Sequence, residues 1–109
     1  MRIGFEAENK LDEQGRPAGG HVQGTGFRID WQNGPLGRVG TEERVAPNGA
    51  FVEDVIGAAL QRIEHYNSTE FRCRENSIAI TKLEEALLWL DKRTQRRVEQ
   101  KVEGTHEGN

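Results

Sequence analysis

Two arginines near the end of a long helical segment are the residues whose type and spacing best fit a chemical role. Arg93 and Arg97 belong to the stretch LLWLDKRTQRR, where they follow the apolar side chains of Leu87 and Leu90. Side chains four residues apart lie on one face of an α-helix, so both guanidinium groups continue the leucine stripe. Paired arginine forks bind phosphate oxygens in bidentate geometry, which makes this face a candidate anion site.

A simpler explanation of the same charges is the helix dipole. Lysine and arginine side chains in the last turns of a helix interact favourably with its negative end. That explanation suffices for Lys92 and Arg96, which no pattern assigns to the leucine stripe. It explains less well why Arg93 and Arg97 occupy the stripe itself, so both interpretations stay open on the residues alone.

Tyr66 and Asn76 are candidates for contacts to a nucleotide. Tyr66 ends the apolar stripe of a first predicted helix, where an aromatic residue is most often part of the core. The same ring could stack on a nucleobase. Asn76 opens the second helix, where asparagine is most often a cap, although its amide could also contact a base or ribose edge.

Familiar catalytic patterns are mostly absent from the sequence, and a Cys–His nucleophilic pair stays open only as residues that the fold would bring together. His21, His65 and His106 lack metal-ligand spacing, and the single cysteine, Cys73, has no sequence partner for a metal site or an intrachain disulfide. The stretch GTGFRI has two glycines but lacks the third glycine and the following helix of a dinucleotide-binding motif. The sequence therefore favours a binding protein over an enzyme, with no catalytic residue, metal or cofactor.

Composition predicts one small domain that completes its core by association. The chain has 109 residues, of which 34% are hydrophobic, 6% aromatic and 30% charged. So thin an apolar supply predicts a homodimer or a higher multiple of dimers, a hexamer included. The formal charge of −3 argues against a protein that coats nucleic acid. No apolar run is long enough to cross a membrane, and we expect a cytoplasmic protein.

Glycine and proline divide the chain into a β half and a helical half. Most of the 13 glycines and all three prolines lie in residues 1–50, which predicts turns and short strands there. Alternating apolar positions predict strands in RIGFEAEN and HVQGTGFRIDWQ, with a hairpin loop in KLDEQGRPAGG between them. We assign residues 1–37 to a small antiparallel β element and residues 38–48 to a polar connector, flexible without a ligand.

Two helices follow the connector. Apolar residues recur with helical spacing over residues 49–66 and again over residues 75–101, and Asn48 is predicted to cap the first helix. A short linker folds the two helices back as an antiparallel hairpin. With residues 102–109 as a closing tail, the prediction is a single α+β domain, assembled as an oligomer.

Several long phrases of the sequence resemble one protein family. NGAFVEDVIGAALQRIEHY, RENSIAITKLEEALLWLDKRTQRR and VEGTHE resemble the Thoeris anti-defence proteins of the first type, and GFRIDWQNGPLG resembles the strand and turn before their helical hairpin. The resemblance covers about residues 21–37 and 48–107. It implies a phage-encoded sponge, acting in the cytoplasm of the infected bacterium. Such a sponge binds the cyclic ADP-ribose isomers made by TIR-domain immune enzymes without cleaving them. The hairpin also resembles that of anti-CBASS proteins, which implies cyclic di- or trinucleotides as further ligands.

The resemblance also implies a role for individual residues. Tyr66 would stack on the adenine, Asn76 would contact the ligand, and Arg93 and Arg97 would hold the pyrophosphate. The tail phrase VEGT would close over the site, which implicates Thr105.

Arginines from the N-terminal half contribute in relatives, which makes Arg28 and Arg44 weaker candidates. Two departures stand out. Residues 1–20 match no familiar pattern, and Lys101 stands where relatives often have glycine.

Helix geometry predicts that two protomers share each site. A helix rises ~1.5 Å per residue, which separates Asn76 from Arg93 by roughly 25 Å. Cyclic ADP-ribose is far smaller, so one protomer cannot bring both ends of its second helix to one ligand. An antiparallel partner can bring its arginines beside the first protomer's Tyr66 and Asn76, and twofold symmetry then gives two identical sites.

Two other classes of protein remain as alternatives. One is a nucleic-acid-binding phage regulator that uses the arginine-rich helix end, with binding that weakens steeply as salt rises. The other is a structural or assembly protein whose arginines meet acidic residues of a neighbour and which binds no small molecule.

Overall fold

A three-stranded antiparallel sheet comes first in the chain. The computed structural model describes residues 4–99. Its strands are β1 (Phe5–Leu11), β2 (Pro17–Gly24) and β3 (Phe27–Asp30), in the spatial order β1-β2-β3. A pair of helices follows, α1 (Val52–Asn67) and α2 (Arg74–Glu99). The predicted α+β fold, with a small antiparallel β element before a helical hairpin, is confirmed.

The division of the β element into strands was wrong in two places. The predicted loop contains the start of β2, and the second predicted strand is really two strands that reverse at Thr25 and Gly26, where Gly26 has a φ of 87°. The glycines of β2 suggested a loop, yet Gly20 serves a close approach between strands. A Cβ atom on Gly20 would lie 2.1 Å from the carbonyl oxygen of Glu8, so only glycine fits there.

The turn between β1 and β2 is held by Asp12. Its carboxylate oxygen Oδ1 accepts hydrogen bonds of 2.9 Å from the backbone N–H groups of both Gln14 and Arg16. Aspartate side chains commonly organise turns in this way. The true hairpin loop is therefore shorter than predicted and ends before Pro17.

Asn48 does not cap α1, contrary to the sequence prediction. Phe51 is the N-cap residue of α1 and makes no side-chain capping bond. The Asn48 side chain instead bonds the backbone of Asn33, accepting from its N–H at 2.8 Å and donating to its carbonyl oxygen at 3.0 Å. The helix starts later than predicted because the residues after Asn48 first pair with the sheet.

That pairing joins the β element to the hairpin. Trp31 and Ala50 form an isolated parallel β-bridge directly after β3. The Ala50 N–H donates to the Asp30 carbonyl oxygen at 2.8 Å, and the Gln32 N–H donates to the Ala50 carbonyl oxygen at 3.0 Å. The start of α1 is thereby fixed against the end of β3.

Side-chain bonds close the turn between the two helices. The Asn67 amide donates to the Ser77 hydroxyl at 3.1 Å and accepts from the Cys73 N–H at 3.1 Å. The Cys73 sulfur in turn accepts from the Asn76 N–H at 3.4 Å, so Cys73 satisfies one of the unpaired N–H groups at the start of α2. The end of α1 and the start of α2 therefore lie together, as an antiparallel hairpin requires.

Little of the apolar side-chain surface is buried within a single chain. Among residues 4–99 no hydrophobic residue is fully buried, and the single buried residue is Arg97. Large apolar side chains stay exposed in the turn between the helices and on α2, among them Phe71, Leu88 and Trp89. None of the helices in the same range has the length and apolar content needed to span a membrane.

Candidate functional site

A groove with a volume of about 930 Å³ lies where the sheet meets the open end of the helical hairpin. Its walls come from β1, β2, the segment after β3, the first turn of α1 and the last turns of α2. Four cationic side chains line it: Lys10, Arg44, Arg93 and Arg97. We refer to this feature, defined by those four residues, as the arginine groove.

Arg93 and Arg97 reach the arginine groove from consecutive turns of α2. Arg97 is only 8% exposed, whereas Arg93 is exposed. Arg97 therefore presents less of its surface to solvent than Arg93, although both line the same groove. Thr94 lies between them on the groove wall, and its hydroxyl donates to the Leu90 carbonyl oxygen at 3.2 Å.

Arg44 reaches the same groove from the connector. The connector forms a compact loop, closed by a bond of 2.7 Å from the Val45 N–H to the Leu36 carbonyl oxygen. Arg44 donates from its Nη1 atom to the Gly37 carbonyl oxygen at 3.0 Å. This weaker sequence candidate therefore lies with Arg93 and Arg97, although nothing in the connector's composition indicated that it would.

Arg28, the other weaker candidate, does not line the arginine groove. It lies on β3 and binds Asp30 with a charge-assisted contact of 2.9 Å, and its Nη1 atom donates to Gln23 at 2.6 Å. The hydrogen bond from Arg28 holds the pKa of Asp30 below its ordinary value. Arg28 thus links β3 to β2 on the exposed face of the sheet.

Tyr66 and Asn76 lie at the other end of the hairpin, beside the interhelical turn. Tyr66 is 42% exposed, so it is not a core residue of a single chain. Arg62 donates from Nε to the Tyr66 hydroxyl at 3.1 Å, and its guanidinium carbon lies 4.8 Å from the ring centroid. The Arg62 guanidinium group therefore packs against the tyrosine ring on the surface of α1.

Asn76 uses its side chain to close the turn. Its amide donates to the carbonyl oxygen of Phe71 at 3.3 Å, and the residue is partly buried. The cap of α2 is Cys73 rather than Asn76, so the capping interpretation does not explain this asparagine. Among residues 4–99 no group donates a hydrogen bond to its amide oxygen. Thr105 lies outside the described residues.

Sequence reasoning missed the apolar wall of the groove. Trp31, Leu36 and Phe51 line it, together with Ala7 and Val22 from one face of the sheet. The period-two apolar pattern of the strands did predict an apolar face of the sheet. It did not predict that this face would line a groove beside the arginines. No group of three or more His, Cys, Asp or Glu residues in the described range is arranged to hold a metal ion.

These features define a class of protein: a small antiparallel sheet joined to a helical hairpin, with a cationic groove at the hairpin's open end. A family model for the Acb2/Tad1 hairpin domain matches residues 24–95, which include α1 and most of α2 and end two residues before Arg97. The chain belongs to this family.

A curated relative agrees with that assignment. The chain is 47% identical over 79 residues to "Thoeris anti-defense 1" of Bacillus phage SBSphiJ7, an alignment that covers 72% of this chain and 51% of the relative. The chain thus spans about half the length of the curated relative that it matches.

Proposed function

We propose that this protein is a phage anti-defence protein that binds cyclic ADP-ribose isomers and sequesters them without cleavage. Membership of the Acb2/Tad1 hairpin family and the similarity to an anti-Thoeris phage protein support the biological role. The proposed place of action is the cytoplasm of the infected bacterium. Removal of the messenger from solution would keep the immune effector inactive.

The single observation that carries the proposal is the composition of the arginine groove. Arg44, Arg93 and Arg97 approach one cavity from two separate parts of the chain. Arginine forks match phosphate oxygens, and a pyrophosphate offers two adjacent phosphate groups. The remaining wall is largely apolar, as expected of a site for a small organic ligand rather than for a bare ion.

The proposed site also needs a second protomer. Tyr66 and Asn76 lie at the turn end of the hairpin, while Arg93 and Arg97 lie at its open end, roughly 25 Å away along α2. We propose that the arginines of one protomer and the Tyr66 and Asn76 of its partner form one pocket. Twofold symmetry produces a second, identical pocket.

The exposed apolar surface supports such an assembly. A stable domain ordinarily buries its large apolar side chains, whereas Leu88 is 68% exposed and Trp89 is 69% exposed on α2 of the single chain. We therefore propose a homodimer or a higher multiple of dimers, in which copies of the hairpin cover one another.

The groove lacks the pairing of groups that cleavage would use. Among its lining residues between 4 and 99, Glu53 is the only carboxylate, and none is a histidine or cysteine. Neither a nucleophile with an adjacent base nor a pair of carboxylates faces the cavity. This composition supports sequestration over catalysis.

Recovery of the ligand tests the proposal. Purified protein is saturated with cyclic ADP-ribose and freed of excess ligand by gel filtration. It is then denatured, and the released compound is identified by chromatography against an untreated standard. We expect intact cyclic ADP-ribose in proportion to the pockets. Recovery of a linear product would indicate an enzyme. Absence of ligand, or binding only to nucleic acid with a steep salt dependence, would contradict the proposal.

A further inference from the structure

We infer that Trp31 determines the specificity of the arginine groove. Its indole contacts the base or a ribose ring of a nucleoside diphosphate derivative. The groove would thereby select such a ligand over inorganic pyrophosphate. The inference rests on the proposed function for the ligand class but concerns a residue that the proposed contacts leave out. Three observations support it: the position of Trp31 in the groove, the bonds that fix its backbone, and the free donor and apolar face of its indole.

The position of Trp31 places an aromatic group in the same cavity as the arginines. Trp31 and Arg97 both line the groove, and Trp31 is partly buried there. A volume of about 930 Å³ exceeds what a bare pyrophosphate needs, and it lies within the range of ~300–1,000 Å³ typical of small-molecule sites. Arginines alone bind any polyanion. Discrimination between pyrophosphate and a nucleotide therefore requires a side chain that makes favourable contacts with a base or ribose ring.

Trp31 is also held in place by its backbone. The bridge to Ala50 fixes the residue on one side, and the neighbouring Asn33 is bonded through the Asn48 side chain. Gly49 packs so closely that a Cβ atom on it would lie 2.6 Å from the Trp31 carbonyl carbon. A residue fixed before binding loses little conformational freedom on contact with ligand, which is what an effective recognition wall needs.

The indole of Trp31 retains unused binding capacity. Its ring makes no aromatic or cation–π contact within residues 4–99, and its Nε1–H group donates no hydrogen bond in that range. An indole offers an apolar face and one donor, which suits a base or ribose beside a phosphate. Trp89, by contrast, is 69% exposed on the outside of α2, with Lys92 over its ring.

The sequence holds only two tryptophans, so Trp31 can be observed alone. In a Trp89→Phe variant that keeps the parent's assembly size in gel filtration, all indole fluorescence comes from Trp31. We expect cyclic ADP-ribose and ADP-ribose to change that emission with saturation, and inorganic pyrophosphate to change it much less. Equal responses to pyrophosphate and the ring-bearing ligands would overturn the inference, as would no response to either ring-bearing ligand.

Substitution of Trp31 gives the second measurement. Because stacking and ring contacts contribute strongly to nucleotide binding, Trp31→Leu should weaken cyclic ADP-ribose binding about tenfold, while Trp31→Phe keeps most of it. Pyrophosphate binding should change by less than about twofold in both. An equal loss for pyrophosphate would show that Trp31 only supports the fold. If the Trp31 variants do not fold, the emission of the Trp89→Phe protein alone tests the inference.

Failure of this inference differs from failure of the proposed function. If cyclic ADP-ribose binds and Trp31 emission does not respond, the role of Trp31 is contradicted and the proposed function stands. If cyclic ADP-ribose does not bind but ADP-ribose changes Trp31 emission, the proposed function is contradicted and the role of Trp31 is supported. If no ring-bearing diphosphate binds, both are contradicted.

Discussion

Arg97 and Arg93 occupy consecutive turns of α2 but have different surroundings. Both line the groove, but Arg97 is only 8% exposed, whereas Arg93 is exposed. A buried guanidinium group interacts in a medium of lower dielectric than water, so its hydrogen bonds to a phosphate are stronger than those of an exposed one. We therefore expect Arg97 to contribute more to ligand binding than Arg93.

Replacement of Arg97 by alanine should nearly abolish binding of cyclic ADP-ribose. Each hydrogen bond to a charged group contributes ~1.5–3 kcal/mol, and an arginine fork makes two. Arg97→Lys should recover only part of the affinity, because lysine keeps the charge without the fork. The matched control is Arg96→Ala, on the same turn but outside the groove lining, which should leave affinity within about twofold. Calorimetric titration measures all three, and equal losses for Arg96 and Arg97 would contradict the assignment.

Tyr66 is predicted to act through its ring rather than its hydroxyl. Tyr66→Ala should lose ~1–3 kcal/mol of binding free energy, the usual value for an aromatic side chain stacked on a base. Tyr66→Phe should keep most of it, although it removes the hydroxyl that accepts from Arg62. Titration of both variants with cyclic ADP-ribose separates the two groups. Normal binding by Tyr66→Ala would remove the residue from the site.

At the scale of elements, the link between sheet and hairpin determines the shape of the groove. The bridge between Trp31 and Ala50 is short, and it depends on the absence of a side chain at Gly49. Since the sheet supplies part of the apolar wall and α2 supplies Arg93 and Arg97, a change in this link alters the site without touching a groove side chain.

Two glycine-to-alanine substitutions test that link with opposite expected signs. A Cβ atom at Gly49 would lie within 2.6 Å of the Trp31 backbone, so Gly49→Ala should destabilise the fold by ~1–3 kcal/mol and weaken binding. In α1, a Cβ atom on Gly57 would meet nothing within 4 Å. Gly57→Ala should instead stabilise by ~0.5–1 kcal/mol, because alanine favours helix. Thermal unfolding of both variants measures this, and a Gly49→Ala protein as stable as the parent would contradict the proposed coupling.

The helical elements were the easier part to predict from sequence. Their apolar residues repeat with a local period that the fold leaves unchanged, and the linker length is enough to predict the hairpin. The strands were harder because β2 carries glycines that normally indicate turns, and Gly20 is required only by the nearby backbone of Glu8. Asn48 was misassigned for a similar reason, since its partner Asn33 is distant in sequence.

The candidate site likewise has residues that the sequence predicts and residues that it does not. The spacing of Arg93 and Arg97 predicts a shared face, and the structure brings them into one groove. The contribution of Arg44 depends on how the connector folds back, and that of Trp31 depends on the bridge to Ala50. Both are long-range contacts that periodicity does not encode.

At the scale of the whole molecule, the two halves of the proposed site lie at opposite ends of one helical hairpin. The arginine groove is at the open end and Tyr66 is at the turn. The same chain exposes large apolar side chains that an assembled form would cover. Both features have one explanation if two protomers pack in antiparallel orientation and complete each other's pockets.

Complementation between two defective variants tests this central claim most directly. Arg97→Ala and Tyr66→Ala homodimers should both fail to bind cyclic ADP-ribose with high affinity. In a mixed dimer with shared pockets, one pocket collects both substitutions and the other collects neither. Calorimetric titration of a co-expressed, doubly tagged heterodimer should therefore recover one high-affinity site per dimer. If no high-affinity site returns in a folded heterodimer, each pocket belongs to a single chain and the account is contradicted.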